Sequence, residues 1–213
     1  MTGGTLNNEG DSLVNMPGGR INNVGGLITH SAGAEFTNSG TVANDAASNF
    51  VLGDLATFKN GGTFTNAGVF KTTSRSGDLV NQKGGVLTNS GTWNQDGVGV
   101  LSNLAGGKIT NSGRINIFNS LLDNRGSFEN TGTLEVFHFG AYQNLGSQLD
   151  NRTGGVFTNT GSASNLANST INNSGSIVND RKLVNAGVIN NLCGGTVTGP
   201  VNGNQPVNVC SIN

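Results

Sequence analysis

Residues 106–115 read GGKITNSGRI. Nearly the same phrase stands upstream as GGTFTNAGVF (61–70) and GGVLTNSGTW (84–93), and downstream as GSFENTGTL (126–134) and GGVFTNTGSA (154–163). Each copy alternates apolar and polar residues over three or four positions and then turns at Asn-x-Gly, which is the pattern of a short strand followed by a corner. A helical period is absent, and glycine at every sixth or seventh position breaks any helix.

Two sets of asparagines mark the period. One comprises Asn81, Asn103, Asn124 and Asn151, in LVNQKGG, LSNLAGG, LDNRG and LDNRTGG, at spacings of 22, 21 and 27. The other comprises Asn66, Asn89, Asn111, Asn130 and Asn159, at spacings of 23, 22, 19 and 29. A third apolar position follows the second set at Phe70, Trp93, Ile115, Leu134 and Ala163. The unit is therefore a coil of about 22 residues with three extended segments, and such periods indicate stacked architectures. The expected fold is a single-domain, all-β parallel β-helix, triangular in section. The repeats occupy 1–195, and 196–213 form an irregular capping tail.

This architecture explains how 213 residues fold with 34% hydrophobic and 11% charged content. Each coil donates only a few inward side chains, and Leu87, Ile109, Phe128 and Phe157 are expected to stack into a thin, continuous core. Glycine, at 35 residues, supplies the left-handed corners. Asparagine, about one residue in six, tolerates corners and can form amide ladders at the strand spacing of about 4.8 Å. All nine asparagines of the two sets are read as structural.

The net charge is -1 and no basic cluster exists to neutralise phosphates, so nucleic acid is not an expected partner. No apolar run is long enough to span a bilayer. The N-terminus, MTGGTLNNEG, has neither the basic nor the apolar region of a signal peptide. Cys193 and Cys210 bracket a Gly/Pro-rich loop and read as a structural disulfide, with two free buried thiols as the alternative. A bridge implies an oxidising, extracellular setting.

At LVNMPGGRI (13–21), LVNQKGGVL (79–87), LSNLAGGKI (101–109) and LDNRTGGVF (149–157) the chain resembles the filamentous-haemagglutinin type of repeat. The resemblance runs over most of residues 5 to 195. It implies a right-handed β-helical shaft of a secreted or surface bacterial adhesin. The cysteine-closed tail departs from that repeat, and no secretion module of the family is visible.

Several constellations compete with a purely structural reading. Asp123 and Asp150 share a slot of the first set, and stacking would bring them within reach of a retaining carboxylate pair. Arg125 and Arg152 follow them by two residues and neutralise them. His30 and His138 are far apart, and no spacing suits a metal. Thr65, Thr88, Thr110 and Thr158 form an outward hydroxyl column, interrupted by Glu129, of the kind an ice-binding face needs. In TLEVFHFGAY (133–142), Glu135, Phe137, Phe139 and Tyr142 form a candidate patch for a sugar or protein partner.

The expected function is a non-catalytic extracellular shaft, structural or adhesive, without a cofactor. An ice-binding or carbohydrate-binding solenoid is the alternative, and a polysaccharide-cleaving enzyme the third reading. The repeat is already running at TLNNEG (5–10), so an open first coil is expected to continue a longer solenoid or to self-associate. A host or surface glycan is the other expected partner.

Overall fold

The computed structural model describes residues 2–73 and 77–210. Among the described residues, thirty strands of two to five residues follow one another without an intervening helix. Every strand but the last three pairs in parallel with the third strand after it, so the chain winds through three ten-stranded sheets. The result is a three-sided β-solenoid of ten coils.

Inward and outward residues alternate along each strand, as the pleat requires. On the face formed by Val86–Asn89, Lys108–Asn111 and Ser127–Asn130, the buried pairs are Leu87, Ile109 and Phe128 with Asn89, Asn111 and Asn130. The apolar members stack from coil to coil. Rings carry the core of the early coils: Phe36 lies on Phe58 at 4.7 Å, and Phe70 meets Trp93 at 4.6 Å.

The asparagines form two one-way ladders. In one, Nδ2 of Asn15, Asn38, Asn60, Asn81, Asn103, Asn124, Asn144 and Asn165 each donates to Oδ1 of the next rung, ending at Asn185. The second runs from Asn23 through Asn44, Asn66, Asn89, Asn111, Asn130, Asn151, Asn173 and Asn191 to Asn208. Direction is fixed because Nδ2 also faces carbonyl oxygens of the next coil: Asn38 donates to Thr63 O at 3.0 Å and Asn103 to Ser127 O at 3.1 Å. On the remaining face the equivalent positions are Asn8, His30, Leu52, Thr72, Gln95, Ile117, Val136, Asn159 and Asn179, and among the described residues one asparagine donates to the next only from Asn159 to Asn179.

The register corrects four expectations. Asn124 is followed by Asn144, and Asn130 by Asn151, so Asn151 and Asn159 each belong one face further on. Phe128 stacks on Leu149, while Phe157 packs against Leu134. Ala163 lies opposite Tyr142, away from the row of Phe70 and Trp93. The cause is one uncounted strand, Ala141–Asn144, whose Tyr142 fills a slot held by Leu or Phe in the coils before it. The anomalous spacing of 27 is a coil of 20 residues plus one strand step of 7.

The tail also differs from expectation. Thr196–Thr198, Val201–Gly203 and Val207–Asn208 complete a tenth coil, with Val197 and Val201 packed on the core. Cys193 and Cys210 are joined, with Cα atoms 4.8 Å apart. The closed loop removes freedom from the unfolded chain. The first-coil strands Thr5–Glu9, Ser12–Asn15 and Arg20–Asn23 are outermost in their sheets, each with one edge unpaired among the described residues.

The Gly-Gly corners divide their labour. In QKGG (82–85), Gly84 takes φ 81°, a left-handed conformation. Gly85 has no such angle, but a Cβ there would run into the carbonyl of Asn60 in the preceding coil. One glycine turns the chain and the other lets the coils close up.

A ladder rung has partners on both sides, so removing it orphans two buried groups. Asn103→Leu leaves Asn81 Nδ2 short of one acceptor and Asn124 Oδ1 without its donor, and should cost about 2–6 kcal/mol in urea unfolding. Asn202→Leu, at an exposed position on the last coil, should change stability by less than about 0.5 kcal/mol.

Candidate functional site: an aromatic corner

The two candidate carboxylates do not meet. Asp123 faces Ser102 and Gln143 on one sheet, whereas Asp150 faces Glu129 and Asn172 on the next. The expected stacking fails for the same register reason as the ladders. Asp123 pairs with Arg125 at 2.8 Å. Arg152 turns to Glu129 at 2.9 Å, and Asp150 accepts from Gln148 and Asn172. No group of three or more His, Cys, Asp or Glu side chains is placed to hold a metal among the described residues.

Thr65, Thr88 and Thr110 do line up on successive strands, but Glu129 and Asp150 continue the row. Thr158 lies on another sheet, opposite Glu135. The hydroxyl column is thus three residues long.

The histidines have opposite fates. His30 is buried in the second coil, where Asn8 Nδ2 approaches Nδ1 at 2.9 Å and Nε2 has no partner among the described residues. Burial lowers its pKa below the usual 6.5, partly offset by the Ala34 backbone. His138 is exposed at a corner.

That corner gathers most of the residues that break the repeat. Phe118 ends one coil and Phe137 stands in the same place on the next, and the rings stack with centroids 4.1 Å apart and planes 22° from parallel. Phe139 is 75% exposed and meets the His138 ring edge-on at 4.6 Å. Arg181 reaches back from a later coil, with Nη1 donating to the His138 carbonyl at 3.2 Å. Asn119, held at φ 45°, points its amide to Asp96 at 3.4 Å. With Thr160, the side chains of Phe118, Asn119, Phe137, His138 and Phe139 line an open cleft of about 200 Å³, which Arg181 borders through His138.

Of the four residues expected to form a patch, two take part. Glu135 lies on the adjoining strand in an ion pair with Arg114 at 3.0 Å. Tyr142, expected at the surface, is 1% exposed and packs edge-on against Phe157 at 5.3 Å in the core. Burial raises its pKa, and Oη finds no hydrogen-bond partner among the described residues because the nearby Asn124 amide is committed to Asn144, Ser147 and Gln148. Phe118, Asn119 and Arg181 were not legible as site residues, although Phe118 precedes Phe137 by 19 residues, one short coil.

No protein family matches the chain, and no curated protein matches it. Among solved structures, the chain is similar to a TibC-catalysed, hyper-glycosylated fragment of TibA at 20% identity. The alignment covers 96% of this chain and 90% of that one, with a TM-score of 0.22. At so loose an overlay, the fold rests on the strand register given above.

Two outcomes are expected. Tyr142→Phe removes a buried unpaired hydroxyl at constant shape and should raise stability by about 1–2 kcal/mol in urea titration. His30 is held neutral in the folded state, so its contribution is whole above the unfolded pKa of 6.5 and shrinks as pH falls below it. Unfolding midpoints should drop between pH 7 and 5.5, and His30→Leu, which copies Leu52 of the next coil, should flatten that drop.

Proposed function

We propose that the chain is a non-catalytic, extracellular or surface-exposed shaft that works by length, stiffness and an adhesive surface. The observation that carries this reading is the pair of asparagine ladders. They run from Asn15 to Asn185 and from Asn23 to Asn208 without a missing rung, so successive coils are joined in the same way throughout. Ten coils at about 4.8 Å make a rod roughly 45–50 Å long. The Cys193–Cys210 bridge fits an oxidising compartment. The sequence resemblance to adhesin shaft repeats points the same way. The separation of Asp123 from Asp150 removes the one carboxylate pairing that favoured an enzyme.

A carbohydrate-binding role is the second reading, favoured by the exposed rings at Phe118, Phe137 and Phe139. Ice binding has less support, since the threonine row stops after Thr110.

Antibodies raised against the purified chain should label intact cells that express it, and external protease should remove the label. Cys193 and Cys210 in those cells should resist a thiol-reactive mass tag until reductant is added. Labelling only after permeabilisation, or tagging without reductant, would exclude the extracellular shaft.

A further inference from the structure

We infer that the corner built by Phe118, Phe137 and Phe139 binds a single pyranose ring, as the terminal sugar of a glycan. This deepens the adhesive reading, and its test in solution can fail independently of the cell-labelling test.

Other corners carry glycine, polar residues or single exposed aliphatic side chains such as Met16, Leu55 and Val98, whereas this one gathers three rings, and Phe118, Phe137 and Phe139 contribute nothing to the buried core. Phe118 and Phe137 are half-buried and stacked, so each ring covers one face of the other and the shelf they offer is an outer face one ring wide. Phe139 stands beside it as an exposed wall. A sugar presents a face of C–H bonds carrying partial positive charge, and the faces of aromatic rings carry the complementary negative quadrupole.

The rim decides between a sugar and an apolar side chain. Asn119, His138 and Arg181 are all exposed. Asn119 spends its amide on one long bond to Asp96, and only Nη1 of Arg181 is engaged, at His138. An apolar occupant would strip water from these groups and offer them nothing. A ring of hydroxyls, each both donor and acceptor, satisfies them while its C–H face rests on the shelf. Size agrees: the cleft holds about 200 Å³, below the usual range of about 300–1,000 Å³ for drug-sized ligands. That is room for one ring, with the rest of the glycan outside. An open site for so few atoms implies a Kd on the order of 1 mM, with useful adhesion arising from many copies.

Saturation-transfer NMR on the intact chain, with a panel of methyl glycosides covering neutral, deoxy, N-acetylated and acidic pyranoses, tests this. At least one glycoside should bind with a Kd near about 1 mM. Phe137→Ala and Phe139→Ala should each weaken it about tenfold or more, while Val98→Ala, at a residue 73% exposed elsewhere, should not. Arg181→Gln should change the rank order of the sugars while thermal unfolding stays unaltered. If no glycoside binds at tens of millimolar, or if binding survives both phenylalanine substitutions, the site is not here. Capture of an apolar peptide alone, with every sugar failing, equally overturns it.

Discussion

The interaction on which everything else depends is the buried hydrogen bond between stacked carboxamides. A corner asparagine is 0–1% exposed through most of the solenoid. An amide so placed is costly unless its groups are paired. Here each coil supplies the partner for the coil before it, and Nδ2 gains a backbone carbonyl as well, as Asn66 does with Thr92. The constraint propagates. A rung must find its neighbour at one strand spacing, so corners must close to that distance, and glycines must stand where a Cβ would strike the preceding coil. The composition follows from the ladder.

The core can be thin because it is continuous. Leu79, Leu101 and Leu122 lie one above another, as do Phe50, Phe70 and Trp93. Each side chain is covered by its predecessor and successor as well as by the other two faces. Burial then comes from repetition rather than from a large apolar fraction, which is how a chain with 34% hydrophobic residues holds 28 of its side chains in one buried cluster. Those 28, all among the described residues, include nine aromatic side chains, and five of the nine, Phe36, Phe50, Phe58, Phe64 and Phe70, lie in the first third of the chain.

Much of the architecture was legible because the period is written in the asparagines. The failures are physical as well. LLDN at 121–124 and QLDN at 148–151 are nearly the same words, yet they lie on different faces. All three faces impose the same alternation and two of them the same amide, so a phrase does not declare which face it occupies. Only counting strands does, and Ala141–Asn144 escaped the count because Tyr142 stands in for an aliphatic residue. The corner cluster was half legible. Phe137 and Phe139 break the pattern visibly, whereas Phe118 becomes meaningful only through a coil-to-coil stack, and Arg181 through a reach of 43 residues. Contacts across coils of unequal length are not written in local spacing.

The direction of the ladders makes the two ends of the solenoid chemically unlike. Every carboxamide dipole in a column points the same way, oxygen toward the first coil and N–H toward the last, so the dipoles add as peptide dipoles add along a helix. The first coil ends the column on a bare oxygen: Asn23 Oδ1 is buried with no donor among the described residues. At the other end, Asn179 and Asn185 discharge their N–H groups onto the carbonyls of Pro200 and Asn204. The rod therefore carries a sense, like an arrow. Two such arrows brought together at their oxygen ends would set acceptor against acceptor.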